Sequence, residues 1–114
     1  MIDINTHIIS ALSPLNKAVA FQALPKGSTL PDQYVTFLEI NANPSLEAAD
    51  KEFETERLIQ LNIWSKSNPH TLSENIKKLM DQAGYERTFE HDAPYNEGDS
   101  HFNKVMRFAF FDDY

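Results

Sequence analysis

The sequence predicts an α+β domain in which two principal helices pack on a mainly antiparallel sheet of four to five strands. Two observations predict this class. Apolar residues recur with helical spacing in two stretches, residues 4–12 and 72–83. Elsewhere, short runs of alternating apolar and polar residues end at proline, glycine or asparagine, as strands and turns do. A chain of 114 residues is expected to form one domain, so we assign residues 1–114 to a single unit.

The N-terminal third predicts a helix followed by two strands. Ile4, Ile8 and Leu12 share one helical face. Pro14 is expected to end this helix, because the residue before a proline is pushed out of the helical conformation. After it, the pattern predicts a short strand, a loop and a second strand over residues 17–24, 25–32 and 34–40.

The next strand is predicted to be central in the sheet, because apolar side chains occupy both of its faces. Ile59, Leu61 and Ile63 lie on one face, and Leu58 and Trp64 lie on the other. A tryptophan at the end of such a strand is more often a core residue than a stacking platform for a ligand.

A well-capped helix is predicted directly after this strand. Asn68 is the expected N-cap, and Pro69 is the expected first helical residue, where its missing N–H costs nothing. Gly84 is expected to end the helix in a left-handed conformation. The apolar stripe of the helix is Leu72, Ile76, Leu79 and Ala83, with Met80 beside it. His7 in the first helix and His70 in this one each stand alone, so both are predicted on the surface.

The chain ends with a predicted antiparallel hairpin. Residues 85–89 and 101–111 predict its two strands, and Asn96, Glu97, Gly98 and Asp99 form the turn between them. Both faces of the last strand carry apolar side chains, so it is also predicted to be central.

Residues 41–56 predict a long acidic loop. Loops of this length are usually functional, or become ordered against a partner. The candidate assembly residues in this loop are Glu47, Asp50, Lys51, Glu52, Phe53, Glu54 and Glu56. A second candidate surface is the exposed turn that contains Asp92, Tyr95, Asn96, Glu97 and Asp99.

Composition excludes several classes of function. The net charge of −7 argues against non-specific nucleic-acid binding and against an anionic membrane surface. The chain has no cysteine, which excludes disulfides, thiolate metal sites and cysteine nucleophiles. Its three glycines, at positions 27, 84 and 98, cannot form a P-loop or a dinucleotide-binding fingerprint. We therefore expect no enzymatic activity and no cofactor. The absence of a signal peptide and of a long apolar run predicts a soluble cytoplasmic protein with no membrane partner.

The densest cluster of possible metal ligands is Glu90, His91, Asp92, Asp99 and His101. Imidazole and carboxylate groups bind Zn²⁺ and iron, and a hairpin can bring the two histidines together. One alternative is therefore a small metal-dependent enzyme that uses His91, Asp92 and His101. The spacing matches no metal-binding template, however, and polar residues commonly flank a turn. A solvated turn is therefore favoured, and no metal is predicted.

Four segments together resemble the tail-terminator, or tail-completion, proteins of long-tailed bacteriophages, which are also called tail-to-head joining proteins. They are PDQYVTFLEI at 31–40, IQLNIWSK at 59–66, the helix end MDQAGY at 80–85 and KVMRF at 104–108. They occur in the family's order and cover most of residues 34–110.

This resemblance implies a structural protein of a phage or prophage particle. Family members cap the tail tube and join it to the head connector, in many cases as hexameric rings. The implied partners are further copies of the chain, the major tail-tube protein and the head connector or stopper protein. DNA would pass through the lumen without specific binding.

The resemblance also implies a place for the protein and a role for its acidic loop. The implied location is the head-proximal end of the tail in the virion, and the host cytoplasm during assembly. The family's mobile loop, which becomes ordered on assembly, corresponds to Ala48–Glu56. A third alternative is a generic protein-binding module that accepts a partner strand at a sheet edge.

Overall fold

The computed structural model describes residues 3–24, 29–44 and 54–113. These residues form two α-helices, one 3₁₀ turn and five strands. In chain order they are α1 (Ile4–Leu12), the 3₁₀ turn (Ser13–Leu15), β1 (Ala18–Phe21), β2 (Gln33–Pro44), β3 (Glu54–Ser65), α2 (His70–Gln82), β4 (Glu86–Asp92) and β5 (Phe102–Asp113). The order and the α+β class are as predicted.

The five strands form one mixed sheet in the order β1-β2-β3-β5-β4. All neighbouring strands are antiparallel except β1, which pairs in parallel with β2. The two strands with apolar residues on both faces, β3 and β5, lie inside the sheet as predicted. Each of them is hydrogen-bonded to a neighbour on both sides.

The core lies between one face of the sheet and the two helices. Its largest fully buried side chains come from both helices and from three strands. They are Phe37, Phe108, Ile8, Leu12, Ile59, Leu61, Ile63, Ile76, Met80, Met106 and Val35. The other face of the sheet has no helix on it among the described residues. No described helix is long and apolar enough to cross a membrane.

Helix α1 has the N-cap that its sequence needs. The Asp3 carboxylate accepts hydrogen bonds from the backbone amides of Asn5 and Thr6 and from the Thr6 hydroxyl. The hydrogen bond from the Thr6 hydroxyl is the main cause of the lowered pKa of Asp3. Pro14 follows the helix in the 3₁₀ turn, as predicted.

Helix α2 begins at His70, one residue later than predicted. The predicted capping group is still in use, because the Asn68 carboxamide oxygen accepts from the His70 amide at 3.0 Å. Gly84 has a φ of +95° and follows the last turn of the helix, as predicted. Met80 is fully buried, whereas Leu79 is only partly buried.

The surface position predicted for His7 is wrong, whereas His70 is exposed as predicted. His7 is half-buried, and its Nδ1 lies 2.8 Å from the Tyr85 hydroxyl. Its ring also stacks on the Tyr85 ring at a centroid distance of 5.4 Å. Trp64 is half-buried on the helix-free face, and its indole N–H donates to the Thr36 hydroxyl at 3.0 Å.

The predicted loop at residues 41–56 is too long at both ends. Strand β2 continues to Pro44 and β3 begins at Glu54, with Asn43 opposite Glu56 in the register. Glu54 and Glu56 therefore belong to a strand and not to a loop. The reason is that β3 pairs with β2 on one side and β5 on the other, which holds even poor strand formers in extended conformation.

Candidate assembly surfaces

Three twelve-residue strands, β2, β3 and β5, extend past the edge strands at one end of the sheet. Strand β1 pairs with β2 only over residues 34–37, and β4 pairs with β5 only over residues 104–109. We call the projecting part, residues 38–44, 54–58 and 110–113, the arm. Within the described chain, its two outer strands pair only with β3. Their outward edges can therefore accept a strand from another protein.

A bidentate ion pair lies at the base of the arm. Arg57 Nε and Nη2 donate to the two carboxylate oxygens of Glu39 at 2.5 and 3.1 Å. Only 10% of the Arg57 side chain and 26% of the Glu39 side chain are exposed. A charge-assisted pair of this geometry fixes β3 against β2 where the register shifts between Glu39 and Asn41.

Most of the chain's net charge comes from the sequence of the arm and of the segment that joins β2 to β3. Residues 39–58 and 109–113 contain eight of the seventeen acidic residues but only two of the ten basic ones. The remaining sequence is close to neutral. In the register of the arm, Glu54 lies opposite Asp113.

The structure locates only part of the first candidate set. Glu54 and Glu56 lie in strand β3, within the arm. The other five candidates, Glu47, Asp50, Lys51, Glu52 and Phe53, lie outside the described residues. The described chain therefore shows the two strands that enter and leave this segment, and both belong to the arm.

The second candidate set lies at the opposite end of the sheet. Asp92 is the last residue of β4, and the turn that follows is exposed, as predicted. The Tyr95 hydroxyl donates to the Asp99 carbonyl at 2.7 Å, and the Asn96 amide donates to the Asp99 carboxylate at 2.9 Å. Gly98 occupies the turn with a φ of +97°. These bonds make the turn a fixed surface feature.

The hairpin does not bring the possible metal ligands together. His101 is buried, with Nε2 2.8 Å from the Pro31 carbonyl and Nδ1 2.7 Å from the Ser100 hydroxyl. His91 lies opposite Val105 in the sheet, exposed to solvent. Among the residues that the structure describes, no group of three histidine or acidic side chains can hold a metal ion. His91 and His101 therefore have different surroundings, and the possibility that the hairpin brings them together as metal ligands gains no support.

Glu90, one member of that cluster, has a structural role instead. Its carboxylate pairs with Lys77 at 3.0 Å, Arg87 at 2.9 Å and Lys104 at 3.3 Å, which ties α2 to β4 and β5. Partial burial opposes ionisation of Glu90, but the hydrogen bonds from Lys77 and Lys104 outweigh it and lower its pKa.

Sequence reasoning missed a groove between the 3₁₀ turn, α2 and the start of β2. Its volume is about 450 Å³. Leu15 and Leu79 supply apolar walls, and Lys17 and Lys78 supply charge. The sequence gives no sign of this groove, because each lysine alone is an ordinary surface residue and the two are distant in the sequence.

The comparisons with known proteins find similarity only among solved structures. No protein-family model matches the sequence, and no curated protein matches it. The fold is similar to that of the sheath/tube terminator of an extracellular contractile injection system (PVC) in its extended state, with a TM-score of 0.51 and 11% sequence identity. The match covers 100% of this chain and 56% of the neighbour, so the chain spans little more than half of the neighbour's length. At this identity, the likeness shows a shared fold alone.

Proposed function

We propose that this chain is a terminator, a non-enzymatic structural protein that caps the tube of a phage tail or of a related contractile particle. The observation that carries the proposal is the fold, because the whole chain superposes on part of a sheath/tube terminator. The resemblance of segments in strands β2, β3 and β5 and at the end of helix α2 to phage tail terminators also supports it. The proposed working form is a hexameric ring.

The proposed partners are the tube protein and the sheath protein of the same particle. The arm supports this proposal, because its outward edges on β2 and β5 pair with no other strand among the described residues and can receive a partner strand. Strand addition of this kind supplies main-chain hydrogen bonds, which give affinity with little dependence on sequence. In a phage particle, the opposite face of the ring would meet the head connector at the head-proximal end of the tail.

The acidic arm also fits a passage for DNA. If arms line the lumen of the ring, their carboxylates repel DNA phosphates, so that DNA slides through without binding. Gel retardation of DNA by the assembled ring at low salt tests this idea. We expect no retardation, and tight binding of DNA would contradict the idea of a repelling lumen.

A sheet-edge binding module outside any particle is the second candidate, and the same exposed edges favour it. An affinity pull-down separates the two functions. Recovery of tube or sheath protein supports the terminator, whereas recovery of a host protein alone supports the binding module. For the metal-dependent enzyme, the geometry of His91, Asp92 and His101 gives no support.

Sedimentation velocity tests the proposal in solution. The protein is mixed with the tube protein of the same particle, and the mass of the resulting species is compared with that of each protein alone. A ring species that includes both proteins is expected. A mixture that sediments as two independent monomers would argue against a terminator.

A further inference from the structure

The groove near α2 is chemically unlike the rest of the molecule. Apolar side chains line it together with two lysines and two carboxamides: Leu15, Leu79, Lys17, Lys78, Gln33 and Asn75. No acidic residue contributes to the described lining. The described lining of this groove is therefore amphipathic and positively charged, in a protein whose net charge is −7.

The two lysines of the groove are free to bind an anion. Within the described parts of the chain, neither Lys17 nor Lys78 forms an ion pair. The other described lysines, by contrast, are all engaged with carboxylates: Lys66, Lys77 and Lys104. A partner of this groove should therefore combine carboxylates with apolar side chains.

The sequence itself contains such a segment. The sequence between β2 and β3, SLEAADKEF at 45–53, places Leu46 and Phe53 among acidic residues. Gln33, which lines the groove, is the first residue of β2, and Pro44 is the last. A strand of twelve residues spans about 36 Å. The acidic arm of one molecule therefore cannot fill the groove of the same molecule.

We propose that the groove receives the acidic end of the arm from a second copy of the chain. This inference rests on the proposed ring and names its contact between subunits. Lys17 and Lys78 pair with carboxylates of the incoming segment, and Leu15 and Leu79 pack against its apolar residues. Because arm and groove are different surfaces at opposite ends, the contact is head-to-tail, which closes into a ring when the rotation between subunits allows it.

A peptide with the sequence of residues 44–56 tests the contact without requiring a ring. Its binding to the full-length protein is followed by fluorescence anisotropy and by amide chemical shifts. We expect shifts at Leu15, Lys17, Lys78 and Leu79, and weaker binding at 0.5 M than at 0.05 M salt, because salt screens exposed ion pairs. No binding, or shifts that cluster elsewhere, would overturn the proposal.

Charge reversal makes the test specific. The double variant Lys17→Glu/Lys78→Glu is expected to weaken peptide binding about tenfold, in line with two exposed ion pairs. Lys66→Glu is the control variant, because Lys66 is an exposed lysine that does not line the groove. Circular dichroism verifies that each variant is folded. Equal affinity for the double variant and the wild type would contradict the contact.

The outcome separates this inference from the proposed function. If the peptide binds in the groove but the protein never caps a tube, the contact stands and the terminator function fails. If the protein caps tubes and the double variant does so equally well, the function stands and the contact fails.

Discussion

Leu61 lies at the centre of the molecule, on the strand that is hydrogen-bonded on both sides, and none of its surface is exposed. Replacing it with alanine leaves a cavity between the sheet and the helices. We expect Leu61→Ala to lower the free energy of unfolding by about 2–5 kcal/mol, measured by urea denaturation. Ile9→Ala on the exposed side of α1 is the control and should cost much less. Equal losses would place the core elsewhere.

The Glu90 carboxylate makes stability depend on pH in the acid range. Its pKa is lowered in the folded protein from an ordinary value of 4.5, so its contribution is complete above that pH and is lost as the pH falls through the folded pKa. We expect Glu90→Gln to be less stable than the wild type at neutral pH by about 1 kcal/mol. Denaturation at several pH values should show the two curves converging as the pH falls below 4.5. Glu97→Gln, in the exposed turn, is the control and should leave the pH dependence of stability as in the wild type. A difference in stability between Glu90→Gln and the wild type that stays constant with pH would contradict the stabilising role of the Glu90 carboxylate.

Single residues were predictable where a local pattern determines them. Ile59 and Ile63 follow from strand alternation, and Gly84 follows from its place after a helical stripe. His7 and Glu90 were not predictable, because their partners come from distant parts of the chain. Tyr85, whose hydroxyl contacts the His7 ring, lies 78 residues further along the chain. No residue near His7 in the sequence indicates this contact.

The arm is the element in which we expect the assembly function to lie. The triple variant Glu47→Lys/Asp50→Lys/Glu52→Lys reverses charge in the sequence between β2 and β3. We expect it to fold with a melting temperature close to that of the wild type and to fail in assembly, because the buried core that the structure describes is built from other residues. Thermal melting and the sedimentation assay with tube protein measure the two properties.

The turn at the opposite end of the sheet provides the matched comparison. Glu97→Lys changes charge in the second candidate surface and leaves the Asp99 hydrogen bonds of the turn in place. If assembly depends on the arm alone, this variant assembles normally. Assembly that is lost in Glu97→Lys but kept in the triple variant would transfer the function to the turn.

The ends of the elements marked the limit of sequence reasoning. The acidic composition of residues 41–56 indicated a loop, yet residues 41–44 and 54–56 are strand. Composition indicates only which conformation a segment prefers locally. The conformation of β3 is instead determined by its pairing with a strand on each side. Strand β1 shows the same limit, because its parallel pairing with β2 depends on the path of the chain through residues that carry no such signal.

The two ends of the molecule, along its longest dimension of 52 Å, have different surfaces. An acidic arm with open edges lies at one end, and the fixed turn and the positively charged groove lie at the other. The sequence gives the charges of both ends but not their separation, which only the sheet register establishes. A molecule with different surfaces at its two ends is suited to ordered, one-directional assembly.

Electron microscopy of growing tubes tests the terminator function most directly. Tube protein polymerises with and without this protein at a low molar ratio, and tube lengths and tube ends are measured. A terminator stops growth at one end, so we predict short tubes with a ring of extra density at that end only. Tubes that grow to the same length with bare ends would contradict the account.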